Sequence, residues 1–367
     1  MTRTVLAVMC AWWSVGALAQ PTRLLSPDVA VPLSAEAREV VAAIPNEDTP
    51  PSEEHYYRSN EWRHDLLSSP LAGRGGAYVG VGSDQNYTMA AMAGSEILFL
   101  VDYDPWMSFV HRTYGVLVPV SETPEALLAR FRERAEEDTV RLLREHLHGD
   151  PDVDRLVQRF RGLRSRWVRY LDRVRARGVR DGVGFTWLSN PSMYAHVRAL
   201  FLSGRVIARS GDVTAERTMR AVGDAARRLG TTVRVVYLSN AEQFFEYTPV
   251  FIANLQNLPT DARSVIVRTI RLRRIASASP DDWHYVVHEV PDFLARLGTG
   301  VYLRAGALAY DLVPSAGRNG VSVMGPTVPR RFVQRLQETV RSPDRDGQGG
   351  HGGRHRRQPD SPPTPQK

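Results

Sequence analysis

The stretch that decides the fold runs from residue 77 to residue 102 and reads AYVGVGSDQNYTMAAMAGSEILFLVD. It predicts a buried strand over 77–81, then a turn, a helix over 88–95 and a second buried strand over 97–102. Continuous apolar runs of this length, separated by a helix, are typical of a parallel sheet that is covered on both faces. Similar apolar runs recur further along the chain, so we expect an α/β protein.

The turn and the end of the second strand predict a ligand site. Gly80 and Gly82 allow the backbone to turn tightly and to approach a ligand without side-chain obstruction. Asp102 lies 20 residues after Gly82, where a carboxylate can accept hydrogen bonds from both hydroxyls of a ribose. A strand, a glycine turn, a helix and an acid at this spacing favour a small-molecule ligand that contains a nucleoside.

The residues after Gly82 distinguish between such ligands. A pyrophosphate binds to bare backbone N–H groups at a helix N-terminus, whereas this turn continues as Ser83-Asp84-Gln85-Asn86 and places an acid there. This argues against NAD and FAD. S-adenosylmethionine has no phosphate, and its sulfonium and ammonium groups are cationic, so it is compatible with an acid. Asp84 either contacts such a ligand or caps the following helix.

Two further apolar runs predict strands that end next to polar residues. Asp212 follows the first of them, and Asn240 and Glu242 follow the second. Ligands of open α/β sheets bind outside the carboxyl ends of the strands, so a parallel sheet brings these side chains to the edge that holds Asp102. Asp212 and Asn240 can equally serve as helix caps.

A helical insertion is predicted over 121–180. The apolar side chains of its second half recur at helical spacing. The opposite face carries Arg155, Arg159, Arg161, Arg166, Arg169 and Arg173. Such a face is most often solvated, and a contact surface for a protein partner on helix 152–177 is the alternative. The runs 284–290 and 301–303 predict a C-terminal antiparallel pair. The fold class is therefore a Rossmann-like, mostly parallel sheet with this pair and an inserted helical hairpin.

The two ends of the chain differ from its body. Residues 1–19 combine a basic start, an apolar run and small residues at the end, which predicts a signal peptide and a periplasmic or secreted protein. Residues 20–60 are expected to form an N-terminal extension, 61–340 the Rossmann-like domain, and 341–367 a disordered tail without apolar residues.

Charge and composition exclude several classes of protein. The chain has a net charge of +7, of which the tail carries three charges and Arg3 one. The remainder is too small to indicate a nucleic-acid-binding surface. The single cysteine, Cys10, lies in the predicted signal peptide, and no histidine or cysteine spacing indicates a metal site. We therefore expect no nucleic-acid partner, no metal and, after cleavage, no membrane span.

Three blocks of the sequence resemble an uncharacterised bacterial family, which is typified by a leptospiral protein with a class I methyltransferase-like fold. The blocks are residues 76–87, 206–212 and 237–245, within a resemblance that covers 55–305. The resemblance implies a Rossmann-like fold with a site for S-adenosylmethionine. One departure from the usual methyltransferase turn is Asp84, which stands where that turn has its third glycine.

An S-adenosylmethionine-dependent methyltransferase of this kind would use each candidate residue in a distinct way. Asp102 would hold the ribose, and the turn over 80–86 would hold the methionine end. Asp212 would contact the adenine edge, while Asn240 and Glu242 would face the methyl acceptor. Two alternatives are open. The chain is either a non-catalytic binding or scaffold protein that kept this fold, which export would favour, or an enzyme of another class with the same crevice.

Overall fold

The computed structural model describes residues 23–49, 55–271, 275–313 and 320–341. The predicted signal peptide and the predicted tail beyond Arg341 lie outside these residues. Within them, no helix is both long and apolar enough to cross a bilayer. The described chain forms a seven-stranded sheet with helices on both faces and a small separate hairpin.

The strands of the described chain are numbered in sequence order. They are β1 (Ala77–Gly80), β2 (Ile97–Asp102), β3 (Val179–Arg180), β4 (Val183–Gly184), β5 (Val206–Ser210), β6 (Val233–Ser239), β7 (Val265–Ile270), β8 (His284–Glu289) and β9 (Val321–Met324). The small hairpin consists of β3 and β4, and all the others belong to the main sheet.

The α-helices of the same residues are numbered likewise. They are α1 (Ala35–Ala42), α2 (Ser68–Leu71), α3 (Gln85–Ala93), α4 (Pro105–Leu117), α5 (Pro124–Arg130), α6 (Glu136–His146), α7 (Val153–Arg177), α8 (Pro191–Leu202), α9 (Thr218–Arg228), α10 (Pro249–Asn257), α11 (Val290–Leu297), α12 (Ala305–Leu308) and α13 (Arg331–Arg341). The helix predicted over 88–95 begins earlier, at Gln85.

The main sheet has the strand order β5-β2-β1-β6-β7-β8-β9. Its first five strands in this order are parallel, and β8 pairs antiparallel with β7 and parallel with β9. The chain passes from β1 through β2 to β5 on one side, and then returns to β6 on the other side of β1. The direction of winding therefore reverses between β1 and β6, as in Rossmann-like sheets. The predicted α/β fold class is confirmed.

The antiparallel pair differs from the prediction in one member. The run over 284–290 forms β8, but its antiparallel partner is β7, and 301–303 is irregular. The reason is that α11 begins directly after β8 and carries the chain away from the sheet. Tyr302 then packs into the core as a side chain, where its hydroxyl donates to Asp311 at 2.5 Å.

Each face of the sheet covers an apolar core, because successive strand residues point to opposite faces. Tyr78 and Leu98 point into the core that also contains side chains of α3, α4, α7 and α8. Val79 and Phe99 point into the other core, together with side chains of α1, α9, α10 and α11. Burial on both faces explains why these strands read as continuous apolar runs.

The N-terminal extension packs as part of the domain. Leu33 and Val40 are buried in the second core. The buried guanidinium of Arg205 donates hydrogen bonds to the backbone oxygens of Ser26 and Val31 at 2.8 and 2.7 Å. The boundary expected at residue 60 therefore does not separate two packing units.

The predicted helical insertion is present in the structure. It contains three helices, α5 to α7, and ion pairs such as Arg144–Asp154 at 2.6 Å join the last two. One face of α7, including Phe160 and Trp167, is buried in the first core and packs against α4, α5 and α6. Because α7 reaches the core, it can supply partners to residues near the turn after β1.

Candidate functional site

A crevice of about 800 Å³ opens at the carboxyl ends of β1, β2, β5 and β6. It lies at the position where the winding of the sheet reverses, which is where open α/β sheets bind ligands. Its volume is in the range of small-molecule sites. Six of the residues singled out from the sequence line it: Gly82, Ser83, Gln85, Asp102, Asp212 and Asn240.

Asp102 connects two walls of the crevice. Its Oδ2 accepts a hydrogen bond from the Gly82 N–H at 2.6 Å, and its Oδ1 accepts one from the Asp104 N–H at 2.8 Å. Burial raises the pKa of Asp102 to about 6, although both N–H donors favour the charged form. Each carboxylate oxygen keeps a second lone pair, so the side chain can still accept hydrogen bonds from a ligand.

The turn after β1 is held from inside by Asn86. This buried side chain donates from Nδ2 to the backbone oxygens of Val81 and Ser83 at 2.9 and 2.7 Å. Its Oδ1 accepts from the Tyr78 hydroxyl at 2.9 Å. A Cβ on Gly80 would collide with Asn86, which explains the glycine at this position.

His111 on α4 supports the same turn from below. Its Nε2 lies 2.9 Å from the carbonyl oxygen of Gly82, and its Nδ1 lies 2.7 Å from the Tyr87 hydroxyl. Because a carbonyl only accepts, Nε2 carries the proton and Tyr87 donates to Nδ1. Burial lowers the pKa of His111 to about 4, so the ring is neutral at pH 7.

Ser239 forms the wall of the crevice at the end of β6. Its φ of 49° lies in the left-handed region, a strained conformation for a residue with a side chain. The hydroxyl donates to Glu61 Oε1 at 2.8 Å. Glu61 is buried and also accepts from the hydroxyls of Tyr237 and Thr269, at 2.7 and 2.9 Å. Since the Ser239 proton is donated to Glu61, its oxygen offers lone pairs to the crevice.

The charged side chains that line the crevice are mostly acidic. They are the carboxylates Asp102, Asp104 and Asp212 and the guanidinium of Arg58. Asp104 also accepts from His55 Nδ1 at 2.9 Å. Carboxylates around a concave surface attract cations and repel anions. The electrostatics of the crevice therefore favour a cationic ligand over a phosphate.

Aromatic side chains surround the mouth of the crevice. Tyr56, Tyr103 and Phe244 line it and remain 62%, 40% and 81% exposed. Exposed aromatic groups at a concave site are typical of ligand-binding surfaces. They give the crevice flat apolar surfaces next to its carboxylates.

Asp212 lines the crevice and also fixes its own loop. Its Oδ1 accepts hydrogen bonds from the backbone N–H and the hydroxyl of Thr214, both at 2.7 Å. Asp212 therefore stabilises its own turn, but the helix cap considered for it is wrong, because α9 begins only at Thr218 and has Arg217 as its N-cap residue. Its Oδ2 makes no hydrogen bond to the described residues and is available to a ligand.

Asp84 neither lines the crevice nor caps α3. Its side chain is 1% exposed, and its carboxylate accepts from the Tyr170 hydroxyl at 2.8 Å and from Trp187 Nε1 at 3.2 Å. Both partners come from the segment after α6. Burial raises the pKa of Asp84, and these two donors oppose the shift. The two roles predicted for Asp84, contact with a ligand and capping of the following helix, are therefore both wrong. The reason is that donors far along the chain hold its side chain in the interior.

Glu242 also points away from the crevice. It is buried, forms an ion pair with Arg268 on β7, and accepts from the Tyr247 hydroxyl at 2.9 Å. Asn240 is the residue after β6 that does line the crevice, and its Nδ2 makes no hydrogen bond to the described residues. The predicted convergence therefore holds for Asp102, Asp212 and Asn240 and is wrong for Glu242.

Several lining residues were not among the predicted site residues, although some of them lie in the stretches that carry the family resemblance. They are Tyr56, Arg58, Ser59, Asn60, Tyr103, Asp104, Met107, Val213, Thr214, Ala241, Phe244 and Phe245. The segment 56–60 precedes the first strand and reaches the crevice only through tertiary contacts, such as the hydrogen bond from Ser83 Oγ to the Tyr57 carbonyl at 3.0 Å. Asp104 could have been noted as a second acid beside Asp102.

The arginine face of α7 is partly neutralised. Arg161 pairs with Glu137 at 2.8 Å, and the Arg159 guanidinium lies 4.2 Å from the ring centroid of Trp106. Arg166, Arg169 and Arg173 are exposed and form no ion pair with the described residues. A protein partner on this face stays a prediction. Among the described residues, no group of three His, Cys, Asp or Glu side chains could hold a metal ion.

The fold and the crevice together define an α/β protein with a Rossmann-like sheet and a concave site at the reversal of its winding. Residues 56–324 match a protein family described as a domain of unknown function, DUF7790. Because the match covers most of the chain, the protein belongs to this family. No curated protein matches the chain.

Gly82→Ala should lower the free energy of unfolding more than Gly94→Ala does. Gly82 has a φ of 84°, and a Cβ there would lie 2.5 Å from Gln85 Nε2. We expect a loss of about 2–3 kcal/mol in the free energy of unfolding, from left-handed strain and the clash. Gly94→Ala is the control, because Gly94 has a φ of 63° with open space around it. Urea unfolding that gives equal losses for both variants would contradict the close approach.

Proposed function

We propose that the crevice binds S-adenosylmethionine and that the protein is a methyltransferase-like protein. The observation that carries this proposal is the position of Asp102. Asp102 lies at the end of β2, accepts a hydrogen bond from the Gly82 N–H and lines the crevice. A carboxylate in this position of a Rossmann-like fold is suited to the hydroxyls of a ribose. The resemblance of the sequence to a methyltransferase-like family supports the same ligand.

The charges of the crevice support this ligand over a dinucleotide. Three carboxylates and one guanidinium line the site, and a sulfonium and an ammonium are stabilised by such a surface. A pyrophosphate would be repelled by the same groups.

The acceptor side of the proposed site is the wall formed after β6. Ser239 offers oxygen lone pairs there, and Asn240 offers an amide N–H. Methyl transfer depends mainly on the alignment of the donor and the acceptor. These two side chains are suited to orienting a polar acceptor, and Phe244 offers a surface for its apolar part.

The test is calorimetric titration of the mature protein with S-adenosylmethionine and S-adenosylhomocysteine. We expect a dissociation constant in the micromolar range for both compounds, and none measurable for NAD as the control. Binding of S-adenosylmethionine weaker than about 1 mM, which corresponds to about −4 kcal/mol, would overturn the proposal.

The second candidate is a binding protein without catalysis. The position of Glu242 favours this candidate. Its side chain points into the core and pairs with Arg268, so Glu242 does not provide an acid or a base on the proposed acceptor side. Export, which also favours it, stays a prediction. The two candidates differ in one outcome: a binding protein retains S-adenosylmethionine unchanged, whereas a transferase releases S-adenosylhomocysteine when an acceptor is supplied.

The affinity for S-adenosylmethionine should fall about tenfold between pH 7 and pH 5. The pKa of Asp102 is raised to about 6 by burial, so the fraction of ionised carboxylate decreases about tenfold over this interval. The protonation of Asp102 over this interval should not lower the free energy of unfolding. A raised pKa means that the folded state binds the proton more readily than the unfolded chain, so protonation of Asp102 favours folding.

Titrations at several pH values measure this dependence, with Asp102→Asn as the control. The variant should bind weakly and with little change between pH 5 and pH 7. A wild-type affinity that stays constant over the interval would show that the ionised Asp102 carboxylate does not contact the ligand.

A further inference from the structure

A second, much smaller cavity adjoins the crevice. Its volume is about 10 Å³, which is about the space that one water molecule occupies by this measure. Its polar lining consists of Glu61, His64, Asp84, Gln85, Thr88, Tyr170, Arg177 and Thr186. Gln85 lines both spaces, so its side chain separates the small cavity from the crevice.

Two buried polar atoms at this cavity lack partners. Gln85 and His64 are each 5% exposed. Gln85 Oε1 and His64 Nε2 make no hydrogen bond to any described residue. Buried polar groups in folded proteins are almost always satisfied, and an unsatisfied one destabilises the fold. Two such atoms at one polar cavity indicate a shared partner.

The spacing of a third group supports the same conclusion. His64 Nε2 lies 3.7 Å from Glu61 Oε2, which is too far for a direct hydrogen bond. Polar groups at this separation are commonly bridged by water. Glu61 already accepts from the Tyr237 hydroxyl through the same oxygen, at 2.7 Å, and that oxygen has a second lone pair.

We propose that the small cavity binds one water molecule, which joins Gln85 to the His64–Glu61 pair. The water accepts a hydrogen bond from His64 Nε2–H and donates to Gln85 Oε1 and Glu61 Oε2. Three hydrogen bonds are the usual number for a buried water molecule. All three protein atoms are then satisfied.

The water molecule would also fix the orientation of the Gln85 amide. With Oε1 bound to water, Nε2 points to the Gly82 turn, in agreement with the close approach of Nε2 to Gly82. A rigid N–H donor is then present in the wall of the crevice. Through Glu61, which binds Ser239, the same water molecule connects the walls after β1 and β6. This consequence holds for any ligand of the crevice.

A crystal structure of the mature protein at high resolution tests the proposal. We expect one electron-density peak at about 2.7–3.2 Å from Gln85 Oε1, His64 Nε2 and Glu61 Oε2. The absence of a peak would overturn the proposal. So would a peak within about 2.4 Å of the carboxylates, since such distances indicate a metal ion.

Gln85→Leu removes one partner of the water molecule and should abolish or displace the peak. Gln243→Leu, at an exposed glutamine, is the control and should retain it. A peak that is unchanged in Gln85→Leu would exclude Gln85 as a partner. If Gln85→Leu does not fold, NMR of the wild-type chain with labelled histidine replaces it. A long-lived water signal transferred to the His64 ring supports the proposal, and its absence contradicts it.

Discussion

Arg296→Met should lower the free energy of unfolding by about 3–5 kcal/mol, the usual cost of removing one partner from a buried ion pair. The Arg296 side chain is fully buried. Its Nε donates to Asp292 Oδ2 at 2.7 Å, and its Nη1 donates to Asp311 Oδ2 at 2.6 Å. Methionine fills a similar volume but leaves two carboxylates without their cation.

The effect of Arg296→Met should extend beyond one ion pair, because Arg296 on α11 joins the segment around Val328 and Phe332 to the rest of the domain. Its Nη2 donates to the Val328 carbonyl at 2.8 Å, and Asp311 Oδ1 accepts from the Phe332 N–H at 2.8 Å. His288 on β8 lies 2.7 Å from Asp292. In the wild type, burial lowers the pKa of His288 to about 4. Arg268 Nη1 lies 3.1 Å from His288 Nδ1, so a neighbouring cation still disfavours the charged ring when Arg296 is replaced.

Arg304→Met is the matched control, since it removes the same charge from an exposed ion pair. Arg304 and Glu246 are 68% and 58% exposed in their side chains, and such pairs contribute about 0–1 kcal/mol. Urea denaturation at pH 7 measures both variants. Losses of similar size in the two proteins would show that the buried network does not hold the C-terminal part of the domain.

Asp102→Ala should weaken the binding of S-adenosylmethionine about 10- to 100-fold, which corresponds to about 1.4–2.7 kcal/mol. The variant loses the proposed ribose acceptor. It also releases the Gly82 N–H, and the turn after β1 is then no longer fixed to β2. Calorimetric titration at pH 7 gives the affinity, and circular dichroism at the same temperature establishes that the variant is folded.

Asp282→Ala controls for the change of net charge, because Asp282 is an acid with a 74% exposed side chain. It is not among the residues that line the crevice, and we expect its affinity to equal that of the wild type. An unchanged affinity in Asp102→Ala would move the ligand site elsewhere while leaving the fold as described.

The sheet could be predicted because its signals are local. The central parallel strands β1, β2, β6 and β7 are almost entirely buried, and each reads as an apolar run in the sequence, whereas the edge strand β5 is only partly buried. The ends of such strands determine where the following residues lie. This is why the sequence could predict that Gly82, Asp102, Asp212 and Asn240 lie at the crevice. These residues follow from topology alone, without knowledge of any side-chain contact.

Side-chain direction was not predictable in the same way. Asp84 is adjacent to two lining residues, yet Tyr170 and Trp187 draw its carboxylate into the core from far along the chain. Glu242 is drawn inward by Arg268 on β7. The helices α4 and α8 were also not predicted, although Asp104 and Asn190 cap their first turns.

The contacts of Arg205 impose an order on folding. The segment that this guanidinium holds begins at residue 26, 179 positions earlier, and Leu25 donates its backbone N–H to the Leu229 carbonyl at 3.1 Å. Contacts so distant in sequence form late, because a long loop must close first. The N-terminal segment of the described chain is synthesised before its partners. It can therefore pack against the domain only after β5 and α9 have been synthesised.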